Sequence, residues 1–375
     1  MSGPSDKELQ NEVTLTYKGR VAIITFNRTK KLNAMTQQHY YRISCLLREV
    51  ALRDEVVITV LTGTGRFFSA GADVGSARPP VDPNTQNSTD ADKTRRDIMS
   101  GFVANNLDLT RSVYMHPKIL VAALNGPAVG ISAALLGFCD FIYAAPHTYF
   151  LTPFSSLGLV AEGGASYGLV QRMGISTANE ALMMSRKISC EKLVHCGFVN
   201  KVFQGKDQND SEGFLKQVLD ELDDKLGSHL NSESLLGIKK LVRAPYEEAL
   251  EAQGVREVMA GMSVFLKGAP QEEFRKLASG EKRHKFQFPA AHVIRKDAKW
   301  AGSPMNKLDI LEVSLICLRT SHSAVLSLKQ NLSAHPQSDN AWTQCSSCGC
   351  INSYILAIDH FASCRPSKLS TVMKN

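Results

Sequence analysis

The first 60 residues alternate between short runs rich in β-branched residues and one longer stretch with helical spacing. Leu15–Tyr17 and Val21–Phe26 are separated by Lys18-Gly19-Arg20, whose glycine can adopt the positive φ that a tight hairpin needs. Apolar residues recur at every third or fourth position in Gln37–Leu52, which predicts an amphipathic helix. The continuous apolar run Val56–Leu61 is typical of a strand buried on both faces.

From residue 98 onward this pattern continues and then gives way to helices alone. Ile98–Met115 has helical spacing, and the apolar run Ile119–Leu124 predicts another buried strand. Two further short strands are predicted at Asp140–Tyr143 and Tyr149–Leu151. Helical patterns then dominate, at Ala178–Met184, Phe214–Leu226, Ser232–Val242 and Tyr246–Phe265. This order predicts an α/β fold in which an early sheet is followed by a helical C-terminal region.

The uncharged stretches around Asp140 raise a membrane alternative. Asp140 is the only charged residue between Lys118 and Glu162, which leaves 21 uncharged residues on each side of it, 119–139 and 141–161. Each stretch is long enough to span a bilayer. Both contain internal glycine, proline or serine, as turns between short strands and helices do. We therefore predict a soluble core without a membrane partner.

Composition narrows the function classes without selecting one. The 375 residues are 43% hydrophobic and 21% charged, as in an ordinary globular protein. A net charge of +7, spread along the chain, gives only weak grounds for a nucleic-acid partner, and we expect none. Nine cysteines, an odd number, and a polar start without the features of a secretory leader predict a reducing, intracellular compartment.

Two glycine-containing turns follow predicted buried strands and are the best candidates for a site. The first is Phe67–Asp73 and the second is Asn125–Ser132. Small residues there let the backbone approach a ligand closely, and amides at a helix start point outward without partners. Two amides that converge on one carbonyl oxygen form an oxyanion hole, worth roughly 3 kcal/mol per donor in a transition state. Spacing alone leaves open that both are structural turns packed with small residues.

The residues of these turns resemble the crotonase (enoyl-CoA hydratase/isomerase) superfamily. The run Phe-Ser-Ala-Gly-Ala-Asp ends at Asp73, and Asn-Gly-Pro-Ala-x-Gly begins about fifty residues later at Asn125. Together with Leu159–Gly164, they are most similar to fungal peroxisomal isomerases that convert 3-enoyl-CoA to 2-enoyl-CoA, a group that includes proteins of toxin pathways. The resemblance runs from about Val13 to about Lys285. It implies a spiral of ββα units, then helices that mediate trimer or hexamer formation and cover the acyl pocket.

The resemblance also implies roles for individual residues. The oxyanion donors would be the backbone amides of Ala70 and Ile131, and Glu162 would be the single catalytic base. The acyl-CoA path would be lined by residues of both turns, namely Ser69, Ala70, Gly71, Ala72, Asp73 and Gly130. The CoA thioester is itself the substrate, so we expect no metal and no redox cofactor in the reaction.

The carboxylates separate the subfamilies. Hydratases of this superfamily carry two glutamates at places that match Ala134 and Phe154 here, so both are absent. Adding water needs an acid and a base, whereas moving a double bond needs one group that takes a proton from carbon 2 and returns it to carbon 4. Dienoyl-CoA isomerases pair an acid at the Glu162 place with a second at the Phe154 place, which disfavours them too. Without the resemblance, a lone Glu162 before a helix start is explained by the helix dipole.

Two alternatives to a 3-enoyl-CoA isomerase stay open. One is an enoyl-CoA hydratase with altered acid and base residues, which a hydration assay would detect. The other is a catalytically silent crotonase-like binding protein, against which Glu162 and the two intact turns argue. Asp140 is a weaker catalytic candidate, because we expect it to open a buried strand with its carboxylate hydrogen-bonded locally.

The length of the chain predicts four parts. Residues 1–12 are expected to be a flexible N-terminus and 13–200 the spiral core. Residues 201–285 are expected to be the helical region for oligomer formation and the acyl pocket. The remaining residues, 286–375, form an appended tail that the resemblance does not cover.

The tail carries two further signals. Its residues Cys345, Cys348, His360 and Cys364 have the count and spacing of a small zinc site, against the alternative of an irregular segment. Ser367–Leu369 spells a peroxisomal import tripeptide but lies six residues before the last residue, whereas import receptors read a free C-terminus. The resemblance therefore implies a peroxisomal enzyme, and this form without a terminal signal is otherwise expected in the cytoplasm.

Overall fold

The structure, a computed structural model, describes residues 4–73 and 88–282. The strands in these ranges are β1 (Val13–Lys18), β2 (Val21–Phe26), β3 (Ile58–Gly63), β4 (Ile119–Leu124), β5 (Ala128–Val129), β6 (Phe141–Ala144), β7 (Tyr149–Leu151), β8 (Ile188–Ser189) and β9 (Lys201–Val202). The α-helices are α1 (Asp6–Glu12), α2 (Gln37–Ala51), α3 (Ser88–Ile98), α4 (Asn105–Tyr114), α5 (Ile131–Ala134), α6 (Ala165–Leu182), α7 (Cys190–His195), α8 (Ser211–Leu226), α9 (Ser232–Arg243), α10 (Glu247–Leu266) and α11 (Ala269–Ala278). A π-helical segment, Met99–Ala104, joins α3 to α4.

A six-stranded sheet in the order β1-β2-β3-β4-β6-β9 forms the centre of the described chain. β1 and β2 are an antiparallel hairpin, and every later neighbour in this sheet is parallel. All six residues of β3 and of β4 are buried, because helices cover both faces of a parallel sheet. A second sheet has three strands in the order β5-β7-β8. Along the chain, β5 follows β4 and β7 follows β6.

The sheet brings the two predicted turns to one edge. β3 and β4 are parallel neighbours, with Ile58 opposite Ile119 and Thr62 opposite Ala123. The chain leaves both strands at their carboxyl ends, which meet at the same edge of a parallel sheet. The two turns therefore begin side by side, although they are about sixty residues apart in sequence.

Most elements agree with the predictions from the sequence. The hairpin turns at Gly19, whose φ is +56°, and the strands Val21–Phe26, Ile119–Leu124 and Tyr149–Leu151 have the predicted bounds. The predicted α/β class, with a helical region after the sheet, is confirmed. Among the described residues, no helix is both long and apolar enough to cross a membrane.

Several boundaries differ from the predictions, among them the following three. Residues 1–12 were expected to be flexible, but α1 begins at Asp6 because Ser5 and Glu8 form a reciprocal capping box. The spiral core was expected to end at residue 200, yet β9 extends the central sheet to Val202. Helix α6 begins well before the predicted Ala178 and is interrupted at Gly174, whose φ is +72°.

Candidate active site

Two buried asparagines shape the first turn. The Asn33 side chain donates to the Phe67 carbonyl at 2.7 Å and to the Thr64 carbonyl at 3.0 Å. The Asn125 side chain also donates to Phe67, at 3.0 Å, and accepts from the Gly63 amide at 3.0 Å. These bonds give the backbone polar groups of the turn partners that regular structure does not provide. The motif asparagines therefore act as structural supports of the turn rather than as ligand-binding groups.

The structure brings the two turns into direct contact. The Ser69 amide donates to the Pro127 carbonyl at 3.2 Å, and the Val129 amide donates to the Ser69 carbonyl at 2.9 Å. A Cβ atom on Gly71 would lie 2.9 Å from the Val129 carbonyl oxygen and 3.6 Å from the Gly130 Cα. Only glycine permits this approach. Gly71 and Gly130, which precede Ala72 and Ile131, are therefore in contact.

The backbone amide of Ala70, one of the two predicted oxyanion donors, already has a hydrogen-bond partner. The Ala70 amide donates to the Leu32 carbonyl at 2.9 Å, so its hydrogen is already used within the fold. The Gly71 amide donates to the Ser69 hydroxyl at 3.1 Å, and the Asp73 amide donates to the Met35 carbonyl at 2.8 Å. Within 4–73 and 88–282, the Ala72 amide makes no such bond, and residue 72 is exposed. The prediction of Ala70 is wrong, and Ala72 is the amide of this turn that is left for a ligand.

The second predicted donor, the backbone amide of Ile131, lies at the start of a helix. Ile131 is the first residue of α5, and Gly130 before it has φ +63° and ψ −139°, a conformation that strongly favours glycine. The first amides of a helix have no acceptor inside the helix. In the part of the chain that the structure describes, the Ile131 amide donates to no protein atom. It is therefore available to a bound oxygen.

Ser69 does not line a ligand path with its side chain. It is fully buried, and its hydroxyl lies 2.9 Å from the Asn33 carbonyl and 3.0 Å from the Ser132 hydroxyl. Ser132, on α5, also contacts the Tyr40 hydroxyl at 3.0 Å. This chain of buried hydroxyls links α2, the first turn and α5. The predicted binding role of Ser69 is therefore replaced by a structural role behind both turns.

Asp73 is held by an ion pair at the end of the first turn. Its carboxylate lies 3.2 Å from Arg28 Nη1, and Arg28 in turn pairs with Glu12 at 3.0 Å. Both Asp73 and Arg28 are largely shielded from solvent. The pair fixes the turn to the end of α1 and to the loop after β2.

Glu162 lies in the loop before α6, against the second turn. It is half-buried, and the next residue, Gly163, has φ +70°. A Cβ on Gly163 would lie 3.0 Å from Ile131 Cγ1 and 3.2 Å from Ala134 Cβ. The backbone next to the predicted base therefore packs on the residue that supplies the predicted oxyanion donor. Glu162 is thus one residue away from a glycine that packs on Ile131.

Asn106 is a partner of Glu162 that the sequence did not reveal. Its Nδ2 donates to Glu162 Oε2 at 3.0 Å, and its Oδ1 accepts from the Thr110 hydroxyl at 3.3 Å. The second bond fixes the orientation of the amide, so that the NH₂ group points to the carboxylate. Asn106 lies on α4, 56 positions before Glu162, and no spacing rule connects the two. Its only sequence signal is a buried polar residue within a helix pattern.

The two positions where hydratases carry glutamates are apolar and enclosed. Ala134 is fully buried in α5, and Phe154 is 2% exposed.

Asp140, the weaker catalytic candidate, is bound by groups outside the two turns. It accepts from the Leu120 amide at 2.7 Å and pairs with Lys239 at 2.7 Å and with Arg243 at 2.8 Å. Burial alone would raise the Asp140 pKa, but these two cations hold it below its usual value.

The predicted zinc ligands Cys345, Cys348, His360 and Cys364 lie outside the described residues. So do the import-like tripeptide and the rest of the predicted tail. Within 4–73 and 88–282, no group of three or more metal-binding side chains comes together.

Comparison with known proteins shows which family this chain is similar to. A family model described as enoyl-CoA hydratase/isomerase matches residues 16–286. A Pyricularia oryzae protein named Delta(3,5)-Delta(2,4)-dienoyl-CoA isomerase is 57% identical over 275 residues, 72% of this chain and 98% of its own length. A Saccharomyces cerevisiae protein named 3,2-trans-enoyl-CoA isomerase is 33% identical over 279 residues, 74% of this chain and 98% of its own.

Solved structures support the same fold. An enoyl-CoA hydratase/isomerase from Pseudoalteromonas atlantica matches with a TM-score of 0.61 at 23% identity, over 73% of this chain and 99% of that one. The family model covers nearly the same residues as the resemblance predicted from the two turns. The chain therefore belongs to the enoyl-CoA hydratase/isomerase family of the crotonase superfamily.

Proposed function

We propose that this enzyme is an enoyl-CoA isomerase that moves a double bond from the 3- to the 2-position of an unsaturated acyl-CoA. The observation that carries the proposal is the Glu162 carboxylate, in the loop that packs on the Ile131 turn. The two places where a hydratase needs its acid and base hold Ala134 and Phe154. One carboxylate can move a proton between two carbons, whereas adding water needs a pair.

In the proposed reaction Glu162 removes a proton from carbon 2. The electrons of the broken C–H bond form an enolate, whose charge rests on the thioester oxygen. The enolate electrons then form the C2=C3 bond. The electron pair of the former C3=C4 bond forms a new C–H bond at carbon 4, with the proton that Glu162 returns. The product has the same atoms as the substrate, and water takes no part.

The enolate oxygen is the group that needs stabilisation, and we assign its donors to the amides of Ala72 and Ile131. Their neighbours Gly71 and Gly130 touch, so the two amides belong to one rigid pair of turns. Donors fixed before the reaction need no reorganisation when the charge develops. Loss of one such donor typically lowers kcat by about 10²–10³-fold.

A second candidate function is the conversion of a 3,5-dienoyl-CoA to a 2,4-dienoyl-CoA. The name of the 57% identical Pyricularia oryzae relative favours it. This reaction moves a proton from carbon 2 to carbon 6, a longer transfer. The family pattern gives such enzymes a second acid at the place of Phe154, and that absence weighs against this candidate. The 3,2-trans-enoyl-CoA isomerase name of the yeast relative supports the first candidate.

The test is a comparison of three substrates with product analysis. Purified protein is incubated separately with 3-enoyl-CoA, 3,5-dienoyl-CoA and 2-enoyl-CoA, and double-bond position and water addition are followed together. We expect the 3-enoyl-CoA to give the 2-enoyl-CoA with the highest kcat/KM, and no hydration of 2-enoyl-CoA. Faster turnover of the dienoyl-CoA would establish the second candidate. Hydration would establish a hydratase, and no turnover at all would favour a silent binding protein.

The setting of the reaction is part of the proposal. A mouse relative, 31% identical over 265 residues, is named a peroxisomal enoyl-CoA isomerase, which supports a peroxisomal or cytoplasmic enzyme. The pathway that we propose is fatty-acid β-oxidation or the making of unsaturated acyl chains for toxins. We further propose a trimer or hexamer, formed through the helical region after β9, and a reaction without metal or redox cofactor. Sedimentation of the purified protein would measure the assembly.

A further inference from the structure

The loop that carries Glu162 ends in a pair of glycines with an unusual helix start. Gly163 has φ +70°, and Gly164, the N-cap of α6, has φ +71° and ψ 13°. Glycine offers no side chain to accept from the first amides of the helix, which normally need an acceptor. An acceptor must therefore come from another part of the fold.

Glu257, on α10, supplies that acceptor. Its Oε2 accepts from the Gly164 amide at 2.7 Å, and its Oε1 accepts from the Ser166 amide at 2.8 Å and from the Ser166 hydroxyl. Gln253, one turn earlier on α10, donates to the same hydroxyl at 2.8 Å. Both carboxylate oxygens are thus used, and the three donors lie within three residues of chain.

The charge of Glu257 suits this position although the group is only 5% exposed. Burial raises the pKa of Glu257 above its usual value, and the hydrogen bonds from Ser166 and Gly164 offset only part of that rise. The positive end of the dipole of α6 also favours a negative charge at its start. A buried carboxylate is costly unless it is hydrogen-bonded, and among the described residues its donors lie in the segment after Glu162.

Helix α10 also packs on the segment that precedes Asn106, the hydrogen-bond donor to Glu162. Gly261 lies under the ring of Phe102, since a Cβ on Gly261 would be 2.7 Å from that ring. The rings of Phe102 and Phe265 are 4.9 Å apart. Phe102 belongs to the π-helical segment that leads directly into α4, where Asn106 donates to Glu162. One helix therefore packs on the segment before Asn106 and holds the backbone after Glu162.

We infer that Glu257 is a positioning residue for the reaction, which fixes the Gly163-Gly164 turn so that Glu162 stays between Asn106 and the Ile131 turn. This inference rests on the proposed role of Glu162 as the base. Glu257 acts through the backbone and does not touch the substrate. A shift of about 1 Å in a reacting group can lower a rate by about 100-fold, so loss of this support should reduce kcat far more than it changes KM.

The test uses two variants of Glu257 and one matched control. Glu257→Gln leaves one of the amides facing an NH₂ group, and we expect kcat on 3-enoyl-CoA to fall by about 10- to 100-fold with KM changed less than about threefold. Glu257→Asp keeps the charge and is expected to recover part of that loss. Glu251→Gln is the control, because Glu251 lies on the same helix but is exposed, and its side chain interacts with Arg111 and Tyr114 of α4 rather than with the turn after Glu162. Its kcat should stay within about twofold of the wild type.

Combination with the base variant separates this inference from the proposed function. If Glu257 acts only through Glu162, then Glu257→Gln should not lower the residual rate of Glu162→Gln any further. Rates are expressed per folded enzyme. If Glu257→Gln does not fold, the kcat of Glu257→Asp is measured instead, and it is expected to be lower than that of the wild type. A wild-type kcat in folded Glu257 variants would overturn the inference while leaving the base assignment intact. Full activity of Glu162→Gln would instead overturn the proposed function.

Discussion

A methyl group added at Gly164 tests how tightly the loop of the catalytic base is packed. A Cβ at this position would lie 2.5 Å from Phe138 Cζ and 2.8 Å from Phe138 Cε2, with Thr110 Cγ2 at 3.3 Å. Phe138 is 2% exposed, and its ring packs on Tyr114 at 5.7 Å between centroids, so it has little room to move. Gly164→Ala must therefore displace the ring, the turn or both.

Gly268 provides a matched control for the backbone conformation. It is the N-cap of α11 with φ +75° and ψ 4°, close to the values at Gly164, but a Cβ there would meet nothing within 4 Å. Each substitution costs about 1 kcal/mol for placing alanine in the left-handed region. Overpacking adds about 1–3 kcal/mol at Gly164 only. The expected losses are about 2–4 kcal/mol for Gly164→Ala and about 1 kcal/mol for Gly268→Ala.

Thermal unfolding and kinetics measure the two effects together. For a domain of this size, 1 kcal/mol corresponds to about 2–4 °C in Tm, so Gly164→Ala should melt at least about 4 °C lower and Gly268→Ala by less. Gly164→Ala should also lower kcat on 3-enoyl-CoA, because the turn that follows Glu162 is displaced. Equal changes in Tm for the two variants, with unchanged kcat, would refute the packing argument.

Three further predictions concern buried polar side chains. Ser132→Ala removes the hydroxyl shared by Tyr40 and Ser69, and we expect a loss of about 1–3 kcal/mol in urea unfolding together with a lower kcat. Asp140→Asn leaves Lys239 without its charge partner, so stability should fall by about 3–5 kcal/mol while kcat per folded enzyme is unchanged. Burial lowers the pKa of His116 to about 3. Between about pH 6.5 and this value, only the unfolded chain binds a proton at His116, so the free energy of unfolding decreases as the pH decreases. His116→Gln should therefore reduce the loss in unfolding free energy between pH 7 and pH 5 by about 2 kcal/mol.

Each of these three has a result that would contradict it. Wild-type kcat and stability in Ser132→Ala would mean that the hydroxyl chain does not support the turns. A loss of kcat in folded Asp140→Asn would return Asp140 to the catalytic candidates. An unchanged pH dependence in His116→Gln would show that this buried imidazole is not the group that titrates between the two states.

The sequence predicted those features that depend on local pattern. The strand Ile119–Leu124 follows from a continuous apolar run, Val21–Phe26 follows from a short run rich in β-branched residues, and the hairpin follows from Gly19. The meeting of the two turns follows from the topology of a parallel sheet once β3 and β4 are neighbours. Only the resemblance, however, selected Glu162 from the other acidic residues.

The features that the sequence did not predict depend on tertiary partners. Whether an amide is free depends on its acceptor, and Ala70 finds Leu32 while Ala72 finds none among the described residues. The contacts of Asn106 with Glu162 and of Glu257 with Gly164 span 56 and 93 positions. No periodicity encodes such pairs, because each is formed only after the helices have packed.

The rate of Glu162→Gln on 3-enoyl-CoA tests the central claim most directly. Glutamine keeps the shape of the side chain and can still accept from Asn106, but it cannot take up the proton from carbon 2. The account predicts that kcat falls by about 10²–10⁴-fold while the affinity for a non-reacting acyl-CoA stays within about threefold. A folded Glu162→Gln protein that turns over 3-enoyl-CoA at a rate near the wild type would contradict the account.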